Sequence, residues 1–169
     1  MKTLPILVVA SALLASNAFA DEGASFVNGD WIGTGSFQMG EQISACSEVK
    51  MRFGGSKTAY EVREASITCG NGPRQEFTQM YLFSVKEDGQ IYFEQGINSK
   101  LAKGTKMGVV KDSKLHTTSP SDTGGVDDIS IEKAGDFLLY NEFAGVPGET
   151  PAYSLLAIMK KDPSAAAKP

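Results

Sequence analysis

The chain has one histidine, one tryptophan and two cysteines in 169 residues, and each scarcity removes a class of function. With His116 as the lone imidazole, a catalytic triad or a histidine-based metal centre has no second ring to draw on. No metal-binding helix motif, phosphate loop or serine elbow is present either. Neither an enzyme nor a bound metal or other cofactor is therefore expected. Arginine is confined to Arg52, Arg63 and Arg74, which are scattered and form no stripe. Lysine and arginine together number 16 against 20 acidic residues, a net charge of −4, which argues against nucleic acid as a partner and disfavours anionic membrane surfaces. After residue 20 no apolar run approaches the roughly 20 residues that cross a bilayer as a helix, so no membrane insertion is expected. No long apolar stripe at helical spacing follows residue 20 either, which points away from a helical fold.

What is present begins at the N-terminus. Lys2 precedes the apolar run LPILVVASALLA, and SNAFA then places Ala18 and Ala20 in the A-x-A arrangement of a secretory signal, cleaved after Ala20. The expectation is an exported, soluble mature chain, periplasmic or secreted. In an oxidising compartment Cys46 and Cys69 read as one disulfide. A metal pair or a redox dithiol would call for more ligands, closer spacing or a C-x-x-C motif.

Apolar and polar residues alternate with period two through most of the chain, and turn clusters such as FGGSK, KEDGQ, KDSK and KAGD punctuate the alternation. The segments between them read as strands at 27–39, 43–53, 58–69, 75–86, 90–95, 106–111, 114–118, 127–133, 136–143 and 152–160. Short strands joined by tight turns predict an all-β fold, a single up-and-down antiparallel barrel of about eight to ten strands. The domain plan is a signal at 1–20, a barrel at 21–161 and a flexible tail at 162–169. Cys46 and Cys69 fall near the outer ends of neighbouring strands, so their bridge would tie the open end of a hairpin. Tight-turn counting does not set them opposite, and a longer loop or a bulge is required. The polar stretch 95–128 reads as weak strands and loops on one side. The late strands FLLYNEF and AYSLLAIM read as apolar on both faces, which suits cover by another segment or by a partner.

The first strand opens with GDWIGTG at residues 29–35. This G-x-W-x-G-x-G pattern resembles the signature of the calycin group, which includes lipocalins and fatty-acid-binding proteins, and is similar above all to the nitrobindin-type branch of ten-stranded barrels. The resemblance implies that Trp31 plugs the closed end of the barrel and that a basic residue after the last strand, Lys160 or Lys161, covers the indole. A tryptophan packed in some other β core is the plainer alternative. The nitrobindin-type branch binds haem through a histidine near the last strand, and residues 145–160 contain none, so haem is not expected. Asp122-Thr123-Gly124 resembles the D-T-G triplet of aspartic proteases, but the polar SPS before it makes it a turn. Asp122, Asp127 and Asp128 lack the spacing of a calcium loop.

The interior face is rich in aromatic residues and methionine. Phe37, Met39, Met51, Phe77, Tyr81, Phe83, Tyr140 and Tyr153 are the expected lining of a site for a small hydrophobic or amphipathic ligand. The alternatives are a barrel filled by these same side chains and a protein-interaction module, an inhibitor or envelope-assembly factor, with a protein partner on its loops and strand edges.

Overall fold

The protein is described by a computed structural model covering residues 23–77, 81–96, 99–121 and 124–165. The expected signal with its cleavage site at Ala20, and Asp122 and Thr123 of the D-T-G triplet, lie outside the described residues.

Alternating side chains and glycine-rich turns produce the expected meander. Its strands are β1 (Gly29–Met39), β2 (Gln42–Gly55), β3 (Ala59–Cys69), β4 (Gln75–Phe77), β5 (Tyr81–Val85), β6 (Gln90–Gly96), β7 (Lys106–Lys111), β8 (Lys114–Pro120), β9 (Val126–Ala134), β10 (Phe137–Gly145) and β11 (Tyr153–Lys161). Around the ring β2, β1, β11, β10, β9, β8, β7, β6, β5 and β3 follow one another, and the β2–β3 pairing closes it. The result is a closed antiparallel barrel of ten strands in up-and-down order, with β4 as an extra strand. Closure leaves no long edge strand exposed. Of the expected strand 75–86, β4 and β5 both pair with β3, β4 near its end and β5 near its start, and residues 78–80 between them lie outside the described residues. The polar middle segment supplies regular staves, β7 and β8, joined by Asp112 and Ser113 at φ 52° and 58°, the two left-handed residues that a type I′ hairpin requires.

Cys46 and Cys69 stand directly opposite each other and form a disulfide. Two bulges lie between this pair and the turn, Arg63 as the extra residue on β3 and Ser47 as the extra residue on β2. The offset introduced by one is cancelled by the other, so the register at Cys46 and Cys69 is the one the turn between Ser56 and Ala59 sets, and the longer loop or bulge expected from turn counting is not what brings them together.

The two ends of the barrel differ. At one, residues preceding β1 form a 3₁₀ turn, Ser25–Val27, that tucks Phe26 and Val27 into the core. Trp31, 2% exposed, lies against this turn and donates its Nε1 hydrogen to the Val27 carbonyl at 2.6 Å. A buried indole needs such an acceptor. Gly33 and Gly35 continue the same face, where a Cβ would sit 1.9 Å from the Ile158 carbonyl oxygen and 2.1 Å from that of Leu156. The glycines therefore let β1 approach the backbone of β11. The core around Trp31 includes Phe53, Tyr60, Ile91, Leu115, Ile131 and Leu138, all fully buried. The opposite end carries the disulfide and longer connections, 146–152 among them. The chain after β11 does not leave the barrel at once: Asp162 donates its backbone N–H to the Asp30 carbonyl at 2.9 Å and Ala165 turns back to Asp162, so the expected free tail is held at its start.

Candidate functional site

A cavity of about 460 Å³ opens at the disulfide-bearing end of the barrel. Its wall is built by the inward residues of several staves. β1 contributes Phe37 and Met39, β2 Met51, β4 Phe77, β5 Tyr81 and Phe83, β10 Tyr140, and β11 Tyr153. All eight residues expected as lining thus surround one space. Their depths differ: Met51, Phe83 and Tyr140 are buried, whereas Met39 is 60% exposed and Phe77 38%, which places the latter two on the rim. Met51 pairs across with Trp31 and separates the cavity from the closed end. The aromatic side chains make a continuous row, with Phe53 and Tyr60 centroids 6.2 Å apart, Tyr60 and Phe83 5.2 Å, and Tyr81 and Phe83 6.3 Å, the spacings of offset aromatic contacts.

Sequence reasoning missed the polar members of the wall, Gln75, Thr117, Glu142 and Tyr60, of which the last two matter most. Glu142 on β10 faces the cavity, and both its carboxylate oxygens are engaged. The Tyr140 hydroxyl donates to Oε2 at 2.7 Å and the Tyr153 hydroxyl to Oε1 at 3.1 Å. Burial raises the Glu142 pKa above the usual carboxylate value; the two tyrosine hydrogen bonds pull it down, and the charge of Asp127 pushes it up again. The hydroxyls of Tyr140 and Tyr153 are raised chiefly by burial, then by the charge of Glu142. Tyr60 of β3 is the other: its ring lines the cavity and its buried hydroxyl has no hydrogen-bond partner among the described residues. Loss of a proton from it is strongly disfavoured by burial and by the nearby Glu142 charge.

At the closed end the cation over the indole is Lys161, whose Nζ lies 4.0 Å from the Trp31 ring centroid. Lys160 does not take that place. It pairs across with Ile32 and Phe137, and so projects from the outer face. The Lys161 ammonium also donates to the Asn28 carbonyl. Burial lowers its pKa, as does Lys133, against an opposing contribution from Asp30.

The remaining candidates stand apart from the cavity. His116 is on the exposed outer face of β8, its Nε2 2.7 Å from Asp128 Oδ2, and Thr118 Oγ1 donates to that same oxygen at 2.9 Å. Asp127 and Asp128 are neighbours on β9 and face opposite sides of the wall. Among the described residues no three His, Cys, Asp or Glu side chains come together to hold a metal ion. A second, polar groove of about 640 Å³ runs along the outside of β2 and β3 under the turn Asp162–Ala165. Its guanidinium groups are already paired, Arg52 with Asp30 at 2.6 Å and Glu64 at 3.2 Å, and Arg74 with Glu76 at 3.3 Å.

The closed ten-stranded antiparallel barrel is consistent with a calycin-like architecture. No protein-family model, curated protein or solved structure matches the chain.

Proposed function

We propose that the protein is an exported, non-catalytic, calycin-like carrier that takes a small hydrophobic or amphipathic ligand into the open end of its barrel. The observation that carries this reading is the cavity of about 460 Å³, within the usual range for small-molecule sites and walled mainly by apolar and aromatic side chains with few polar anchors. The A-F-A sequence before Asp21 and the Cys46–Cys69 disulfide support export to an oxidising compartment. Charged residues on the outer face, Lys50, Arg52, Glu64 and Glu132 among them, suit a barrel surrounded by water. Native mass spectrometry of protein purified from its natural compartment without delipidation tests the reading. A discrete small molecule released on denaturation is expected; a protein that carries nothing and takes up no apolar compound when offered one would remove the carrier.

A second reading has its own observation. Phe137, Leu156 and Ile158 are 50%, 54% and 54% exposed on neighbouring outer positions of β10 and β11, next to Leu139. Such a patch supports a protein-interaction module. Substituting Leu156 and Ile158 by glutamate would remove a partner without touching the cavity, and a carrier with no partner would be indifferent to the change.

A further inference from the structure

A carboxylate ligand in an apolar cavity calls for a basic residue, and this wall offers the opposite charge. The wall carries Glu142 and, among the described lining residues, no lysine, arginine or histidine. Two tyrosine hydroxyls donate to its carboxylate, one to each oxygen, which fixes the group as an acceptor and leaves a lone pair on each oxygen facing no cation. Neutral donors satisfy hydrogen bonding and do not neutralise charge. Asp127, on the adjacent strand β9, adds charge of the same sign. The rings of Phe37, Tyr81, Tyr140 and Tyr153 share the wall with this carboxylate, and aromatic faces attract cations.

Resting on the ligand-carrier reading above, we infer that the ligand is a cation, an amphipathic amine whose ammonium group pairs with Glu142 while its apolar body lies along the row from Tyr81 to Tyr60. An ammonium supplies donors for the open lone pairs and the missing counter-charge together. A carboxylate ligand would meet like charge, and a neutral alcohol would leave the charge of Glu142 unopposed. The titration behaviour agrees. The groups facing Glu142 are Tyr140 on its own strand, Tyr153 on β11, Asp127 on β9 and Tyr60 across the barrel on β3, none of them a cation. Burial raises the pKa of this carboxylate, and a cation held beside it would lower it again.

The test compares octylamine, octanol and octanoate, equal in chain length and different in head-group charge, by calorimetric titration at neutral pH. Wild-type protein is expected to bind octylamine at least about tenfold more tightly than octanoate, with octanol between them. Glu142→Gln, isosteric and with its fold checked by melting, is expected to lose about tenfold in octylamine affinity and to keep its octanol affinity. Octanoate binding as tightly as octylamine, or an unchanged amine preference in Glu142→Gln, would overturn the inference. Should the variant not fold, the wild-type series decides alone. Octanol binding without any amine preference sinks the cationic ligand and leaves the carrier standing; failure of all three to bind sinks the carrier as well.

Discussion

Trp31 shows how one side chain can be given its place by its neighbours. Its ring is enclosed by Val27, by Met51 opposite it in β2, and by the Lys161 ammonium, so truncation leaves a void that the barrel end cannot collapse into. Trp31→Ala is expected to destabilise by about 3–5 kcal/mol, read as a lower chemical-unfolding midpoint. Lys161→Ala should cost about 0.5–1 kcal/mol more than Lys160→Ala, because only the former removes a cation from the indole face, and equal melts for the two lysine variants would contradict that assignment. The choice between these lysines was not legible in the sequence. It depends on whether residue 160 or 161 falls opposite Trp31, and only the β1–β11 register decides that. Glu142 was legible and missed. Alternation from Leu138 through Tyr140 places it on the inner face, which the reading of FLLYNEF as apolar on both faces passes over. Its raised pKa also has a consequence for stability. Between the ordinary glutamate value and the raised one, the folded state binds more protons than the unfolded state, so stability falls as pH rises through that window. Glu142→Gln should flatten this descent in melts recorded across the acid range, and an unchanged slope would show that Glu142 does not titrate abnormally.

At the scale of elements, strand positions followed from alternation and glycine punctuation because each stave has one face turned to a common core. β7 begins and ends where the turn residues put it, and β1, β3 and β11 agree within two residues. Bulges were harder, since an extra residue changes parity without leaving a compositional mark. Tyr60 escaped notice for this reason: the extra residue Arg63 shifts the faces of β3 on either side of it. The counting that asked for a bulge between the cysteines was mistaken, because the turn register already sets them opposite and the two bulges between cancel. Removing the bridge by Cys46→Ser should lower stability by about 3 kcal/mol with little change in the fold, whereas exported wild-type protein should show no free thiol under denaturing conditions. Gly33→Ala makes a different demand. A Cβ directed at the Ile158 carbonyl must push β1 from β11, so a loss of about 1–3 kcal/mol is expected from overpacking, in contrast to the small gain that Gly→Ala gives in an unstrained strand.

Over the whole molecule, the barrel separates stability from binding along its axis. The closed end holds the tryptophan, the glycines and the folded-under N-terminal turn; the open end holds the disulfide, the longer connections and the cavity. Variants at the two ends should therefore affect different observables. Trp31→Ala should lower the melting temperature and retain binding wherever the chain is folded. Phe83→Asp should weaken binding far more than it weakens the fold, since it sets a carboxylate without a counter-charge against the apolar wall. The most direct measurement is a titration of wild type and both variants with an environment-sensitive apolar probe, each alongside its own thermal melt. Saturable binding by wild type and by folded Trp31→Ala, with binding lost in folded Phe83→Asp, is the predicted result. Folded wild type that binds no probe, or Phe83→Asp that binds it as well as wild type, would contradict a ligand site at the open end of the barrel.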